Sequence, residues 1–480
     1  MSSLPRREFL RRSASAAAAF TILPAAARGA NSRIQVACIG VTGKGHTDTL
    51  GTAAAGGEIV ALCDVVNPRR PELTRRKKAK AAPASDTILD RFPAAKFFLD
   101  YREMLATHPG IDAVVVSTPD HHHFHASLLA MRGGKHVYCQ KPIAHSVWEA
   151  RRLAEAAAQT RVQTQMGNQA HAGEPIRRAV ELLQAGVLGR VTEVHAWTNR
   201  PIWPQGKSAI IKPEPAPESL DWEHWLAATP DAPYSPTIHP FKWRGFLEYG
   251  AGAFGDMGCH LLDAPCVALG LVTPHHVTAS QVDDLTDIAW PTGSIVKMEF
   301  NSAKYGEVAL TWYEGKKPDG TPYLPEFPSG VNMNEAFAYK DEKKNGQVTP
   351  GGWFIVGTEG VILNKSDQAK DPQLWPEKRR DEFLAKPPAK SLPRSRTPGN
   401  PQQEWTECIK AGKEDPWMGH FDYSVPLTEV TLIGGLAMHF PGKRLEWDSK
   451  SLKVGNNEAA NAFIKRKQYR SGWEYSADSI

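Results

Sequence analysis

Ile34-Gln-Val-Ala-Cys-Ile39, running into Gly40-Val-Thr-Gly43-Lys-Gly45-His46, is the stretch on which the fold turns. A short β-rich run meets a glycine bend, and a helix-compatible segment continues towards Ala55. A strand, a tight turn and a helix N-terminus make a cradle for a pyrophosphate: the backbone approaches closely and the helix end is positive. The spacing is Gly40-x-Thr42-x-x-Gly45 with Gly43 added, so the middle glycine of the usual pattern is replaced. Asp64 closes the next apolar run, 19 residues after Gly45. An acid there binds ribose hydroxyls and repels a 2′-phosphate, which favours NAD over NADP.

Moving outward, residues 58–64, 111–117, 136–139 and 162–166 read as further strands, with a helix over 146–160. Their almost continuous apolar character fits a parallel sheet covered on both faces. Beyond about residue 170 the pattern changes. A helix is expected at 175–184, then strands at 191–197, 295–300, 307–313, 353–357 and 360–363, the last two as a hairpin across Thr358-Glu359. Residues 201–240 form a long Pro- and Trp-rich loop, of the kind that carries function. Residues 386–401 read as a connector, and 402–411 and 425–438 as helices. The fold class is α/β: a signal segment over 1–30, a Rossmann parallel sheet over 31–168, an α+β domain with an open, mostly antiparallel sheet over 169–400, and C-terminal helices and tail over 401–480.

With 480 residues, 41% apolar and 23% charged, the chain suits two globular domains. Its net charge is +5, but Arg6, Arg7, Arg11, Arg12 and Arg28 against Glu8 account for +4 of it. The near-neutral remainder argues against a nucleic-acid or anionic-membrane surface. The basic run around Arg75-Arg76-Lys77-Lys78 reads as a solvated face, with contact to a cofactor 2′-phosphate as the sharper alternative. Pro5-Arg6-Arg7-Glu8-Phe9-Leu10-Arg11, followed by an alanine-rich apolar stretch, is a twin-arginine export pattern. It implies a periplasmic or secreted protein with no membrane span once the segment is removed. The six cysteines form no C-x-x-C pair, and no metal site is expected.

Three segments carry chemistry. Thr118-Pro119-Asp120-His121-His122-His123 begins at a strand exit, where open parallel sheets bind ligands. Thr118 and Pro119 shape the floor under a nicotinamide, and Asp120 caps the next helix. The neighbouring histidines read as satisfied helix-start side chains rather than metal ligands. Gln140-Lys141-Pro142 leaves another strand, with Lys141 aimed into the same crevice. Asp256-Met-Gly-Cys-His260 sets a carboxylate and an imidazole on one helix face. Asn168, Trp203, Trp243 and Arg244 are candidate substrate contacts, through stacking and bidentate hydrogen bonds to a polyol. Core burial is the alternative for the tryptophans.

Together these segments resemble the Gfo/Idh/MocA oxidoreductases, over residues 34 to about 447. The E-K-P signature stands here as Gln140-Lys141-Pro142, T-P-D/N-x-x-H as Thr118 to His123, and D-x-G-x-H as Asp256 to His260. The resemblance implies that His260 is the general base, and that Lys141 and Asp256 orient substrate and tune the imidazole. Gly40, Thr42, Gly43, Gly45, Asp64, Thr118, Pro119, His123, Gln140 and Lys141 would then contact NAD. Hydride would pass between the nicotinamide and a sugar or cyclitol carbon, in a homo-oligomer (dimer or tetramer) whose C-terminal helices pack back on the first domain. Export favours a retained cofactor. Two rivals stay open: a glycoside-cleaving route through transient C3 oxidation and elimination, and a non-catalytic sugar-binding protein.

Overall fold

The computed structural model describes residues 33–66, 87–328, 351–366, 372–394, 399–413 and 419–474. The export segment and the Arg75–Lys78 run lie outside them.

The first sheet contains β1 (Ile34–Ile39), β2 (Gly57–Cys63), β3 (Lys96–Phe98), β4 (Ala113–Val116), β5 (His136–Cys139) and β6 (Thr164–Met166) in the order β3-β2-β1-β4-β5-β6, every pairing parallel. Between them run α1 (Lys44–Ala54), α2 (Ile88–Arg91), α3 (Tyr101–Thr107), α4 (Asp120–Arg132) and α5 (Val147–Thr160). The strands are apolar on both faces because helices cover both, and β4 is buried at all four positions. Strand order reverses between β1 and β4, which opens a crevice at their carboxyl ends. Ser146 starts α5 with a reciprocal capping box to Glu149. β3 and α3 were not legible in the sequence: β3 has three residues, one of them Lys96.

The second sheet has nine strands. They are β7 (Val191–Thr198), β8 (Pro274–Asp283), β9 (Gly293–Ser302), β10 (Gly306–Gly315), β11 (Gly351–Gly357), β12 (Gly360–Asn364), β13 (Gln373–Trp375), β14 (Arg444–Asp448) and β15 (Lys453–Val454), ordered β13-β12-β11-β7-β10-β9-β8-β14-β15. Only β7 with β10 is parallel. The helices that follow the first sheet are α6 (Glu174–Gln184), α7 (Trp222–Leu226), α8 (Gly252–Leu261), α9 (Asp263–Leu269), α10 (Glu377–Ala385), α11 (Pro401–Ala411) and α12 (Phe421–Ala437). The fold class is thus the one the sequence pattern implies.

Several details differ from the sequence reading. Residues 201–240 are not free loop: α7 and Trp222, Trp225 and Tyr234 pack there, and Leu220 makes an isolated bridge to Val66, three residues past β2. α10 precedes the expected connector. α12 begins at Phe421, ahead of the helix read at 425–438, and carries Pro426 inside it. α11 and α12 lie on the first domain: Trp405 Nε1 donates to Gln163 O at 3.1 Å, and Arg151 pairs with Glu429 at 2.5 Å. The C-terminal segment also serves the second sheet, through β14 on β8. All six cysteines are free and buried. Among the described residues no helix is long and apolar enough to cross a membrane.

Candidate active site

The glycine bend is built as its sequence requires. Gly40 and Gly43 have φ of 75° and 55°, the left-handed region that favours glycine. A Cβ on Gly45 would lie 1.6 Å from Gly40 O and 3.2 Å from Ser117 Cβ, so glycine alone lets α1 pack this closely on the strands. A Cβ on Gly43 would meet nothing within 4 Å, and no side chain caps α1 there. The helix end is therefore uncapped by any side chain and faces open space at Gly43, while Gly45 N donates to Thr42 O at 3.0 Å. Nearby, Thr118 Oγ1 is buried without a hydrogen-bond partner at the exit of β4. An open helix N-terminus and an orphan hydroxyl over one crevice fit a dinucleotide lying across the strand ends. Pro119 stands at the N-cap position of α4.

The strand exits and α8 bring the acid–base groups together. Lys141 Nζ donates to Asp256 Oδ1 at 2.7 Å and to Asp256 O at 2.8 Å. Arg244 Nε donates to the same Oδ1 at 3.1 Å. Burial alone would raise the Asp256 carboxyl; the two cations outweigh it and hold it well below the usual range. Four residues along α8, His260 Nδ1 meets Asn168 Oδ1 at 2.9 Å. The Asn168 amide donates through Nδ2 to Cys259 O at 2.7 Å and Asp263 Oδ2 at 3.0 Å. Its oxygen must therefore accept, so His260 Nδ1 carries the proton and Nε2 is left as the basic nitrogen. Burial, then the Lys141 charge, lowers His260 to about 3, so the ring is neutral near neutral pH.

Behind Asn168 lies a layer the sequence reading missed. Asp263 Oδ1 accepts from His171 Nδ1 at 2.9 Å and from the Tyr423 hydroxyl. Asp263 is fully buried, and no single residue type in the sequence announced that His171, Asp263 and Tyr423 converge. The spacing of Asp263, three residues after His260, was the one available signal.

Some expected contacts fall elsewhere. Asn168 is 1% exposed and all its polar atoms face protein, so it orients His260 rather than offering itself to substrate. Asp64 does not point to the crevice: Oδ2 accepts from Val41 N at 2.8 Å and Thr42 N at 3.1 Å, and Oδ1 from Val66 N at 3.0 Å. It fastens the glycine bend to β2. His123 is fully buried, with Nδ1 at 2.6 Å from Pro142 O and Nε2 at 2.9 Å from Thr118 O, so it braces two strand exits instead of facing a cofactor. Asp120 does not cap α4; its Oδ2 accepts from Ala251 N at 3.0 Å, fixing the start of α8. Burial outweighs the nearby Lys141 and Arg244 charges and pushes Asp120 up to about 7.

Trp203 and Trp243 are 6% and 5% exposed and belong to the packed interior. They act through Arg244, whose guanidinium carbon lies 4.1 Å from the Trp243 ring centroid and 5.9 Å from that of Trp203. His121 and His122 both meet Trp225 O at 2.8 Å. Among the described residues one grouping has metal-ligand character, His275 and His276 of β8 with Glu299 of β9. Arg444 already inserts a cation there, at 2.5 Å from Glu299 and 2.9 Å from His276 Nδ1.

Residues 33–168 match the Gfo/Idh/MocA model described as oxidoreductase family, NAD-binding Rossmann fold. Residues 172–302 match the partner model, oxidoreductase family, C-terminal alpha/beta domain. Together they take in more than half of the chain. Among curated relatives, inositol 2-dehydrogenase of Salmonella typhimurium is 25% identical over 191 residues, 39% of this chain and 52% of that protein. D-xylose 1-dehydrogenase (NADP(+)) of Hypocrea jecorina is 30% identical over 128 residues, 24% of this chain and 32% of that protein. The chain thus spans about half the length, or less, of the curated relatives it matches. Aldose–aldose oxidoreductase of Caulobacter crescentus shares the fold with a TM-score of 0.53 at 16% identity, over 86% of this chain and all of that one. Levoglucosan dehydrogenase has the same TM-score at 17% identity, over 85% and 98%.

Proposed function

Starting from a chain that belongs to the Gfo/Idh/MocA oxidoreductase family, we propose an NAD-dependent oxidoreductase acting on a carbinol carbon of a sugar or cyclitol. The observation that carries the reading is the convergence of Lys141, Asp256 and a tautomer-fixed His260 beside the open glycine bend. When bound, the nicotinamide would accept or return hydride. Gly40, Thr42, Gly43, Gly45, Thr118 and the Gln140–Lys141 exit would hold the dinucleotide.

The protein's own residues then handle the proton. Lys141 is a cationic donor held by Asp256, able to polarise a substrate hydroxyl as negative charge builds on its oxygen. His260 Nε2 accepts that hydroxyl proton, and Asn168 keeps Nδ1–H turned away. Arg244, spread over its aromatic neighbours, keeps Asp256 charged and gives a planar donor for vicinal hydroxyls. Burial keeps His260 weakly basic, so proton transfer is favourable only as the hydroxyl becomes acidic on losing hydride.

The twin-arginine pattern around Arg6-Arg7 supports export to the periplasm or beyond, with the cofactor retained through turnover. The broad second sheet supports self-association as a dimer or tetramer. Signal cleavage seen by mass spectrometry of the exported protein, and light scattering of the purified one, test these two points. For the activity itself, purified protein should reduce NAD+ with a polyol from a panel of sugars and cyclitols, and His260→Ala should lose that turnover while staying folded. Release of aglycone from a nitrophenyl glycoside without net reduced dinucleotide would move the assignment to the elimination route.

A further inference from the structure

Asp48, on the inner face of α1, is 0% exposed and carries four hydrogen bonds from four different elements. Its Oδ1 accepts from Lys44 Nζ at 2.5 Å, one turn back on α1, and from Gln402 Nε2 of α11 at 3.0 Å. Its Oδ2 accepts from Ser117 Oγ at the exit of β4 and from Gln140 Nε2 at the exit of β5, both at 2.8 Å. Burying a carboxylate costs several kcal/mol, of the order of the effective penalty for one ion, unless its lone pairs are filled. Here they are filled, at the point where the strand order reverses.

The surroundings leave this arrangement little freedom. A Cβ on Gly167 would lie 2.5 Å from Gln140 Nε2, and one on Gly51 would lie 3.3 Å from the Gln402 amide carbon. Glycine makes room for the Gln140 amide, and at Gly51 it spares the Gln402 amide a tight contact. With Nε2 committed to Asp48, Gln140 presents Oε1 as its remaining acceptor, next to Lys141. On the other side Asp48 tethers Lys44, whose side chain is 44% exposed beside the open Gly43.

We propose that Asp48 is a positioning residue for the dinucleotide: its buried carboxylate sets Lys44 at the phosphate end of the crevice and Gln140 at the Lys141 end. The inference rests on the functional reading above. It also makes the pair exchangeable. An amide at 48 facing a carboxylate at 140 keeps that hydrogen bond with donor and acceptor reversed, leaves the amide oxygen at 48 to accept from Lys44 and Gln402, and moves the one negative charge across to position 140. Asp48→Asn alone sets two amide donors against each other until Gln140 turns over.

The test is calorimetric titration with NAD+ of full-length protein first stripped of any co-purifying dinucleotide, together with thermal unfolding, for wild type, Asp48→Asn, and the double variant Asp48→Asn/Gln140→Glu. Loss of a hydrogen bond to a charged group predicts dinucleotide affinity about tenfold weaker in Asp48→Asn. The double variant should return to within roughly threefold of wild type, well inside one such bond. A merely structural role would move the melting temperature without this rescue of affinity. Wild-type affinity in Asp48→Asn overturns the proposal, as does a double variant that folds but binds no better than the single one, or that fails to fold. Absence of binding by the wild type itself overturns both this and the functional reading, which separates the two failures.

Discussion

Replacing Lys141 with methionine keeps the length and apolar stem of the side chain and removes its ammonium. Two contacts to Asp256 disappear, at 2.7 and 2.8 Å, while Arg244 at 3.1 Å stays. The two side chains are 13% and 15% exposed, so solvent screens little of the loss. Breaking a buried pair typically costs about 3–5 kcal/mol, and the retained guanidinium puts Lys141→Met at the low end, about 3 kcal/mol. The pH dependence follows from the direction of the Asp256 shift. Its folded carboxyl is held below its unfolded value, against burial, mainly by Lys141 and Arg244. That stability is fully present above the unfolded carboxyl value, near pH 4, and drains away as pH falls towards the folded one. The gap between wild type and Lys141→Met should thus be widest near neutrality and narrow in acid. Turnover should fall by about a hundredfold or more, since the polarising donor is gone. Urea unfolding across a pH series, with initial rates on an oxidisable polyol, reads both. Equal unfolding free energies near neutrality, or a gap that widens in acid, would refute the reasoning.

Three further outcomes follow from the same geometry. Asn168→Ala releases the His260 tautomer and should lower kcat by about ten- to a hundredfold with a smaller change in KM, read from steady-state kinetics, because one oriented hydrogen bond is worth about one to three kcal/mol. Gly45→Ala would drive a methyl into Gly40 O, so its melting temperature and NAD+ affinity should both fall; an unchanged melting curve would contradict the close packing of α1 on the strands. Trp405→Ala removes a fully buried ring and the bond to Gln163 O, and denaturant titration should show a loss of about 3–5 kcal/mol if α11 is integral to the first domain.

The first domain was legible because local signals agreed: continuous apolar strands and a glycine bend, whose Gly40 and Gly43 do take left-handed positions, point one way. The second sheet was only half legible. β8 runs between β9 and β14 with His275, His276 and Gln281 only half-buried, so its period of two is blurred. The acid–base trio was legible because spacing on one helix face, and position at a strand exit, are local facts. What surrounds it was not. Asp48 meets Gln402 across 354 positions, and Asp263 meets Tyr423 across 160. Such contacts are set by how domains pack, which no short pattern encodes. Asp64 shows the same limit: its place in the pattern was right, but its carboxylate turned to backbone amides of the bend it follows.

The account stands or falls on whether the Lys141–Asp256–His260 site exchanges hydride with a nicotinamide held at the glycine bend. The direct measurement is the absorbance of the purified protein, loaded with NAD+, as sugars and cyclitols carrying deuterium at each carbinol carbon are added. The account predicts that the reduced-nicotinamide band rises with at least one of them, that deuterium is recovered on the nicotinamide, and that His260→Ala abolishes both. Bound NAD+ that stays oxidised with every compound, or a His260→Ala protein that reduces it as fast as wild type, would contradict it.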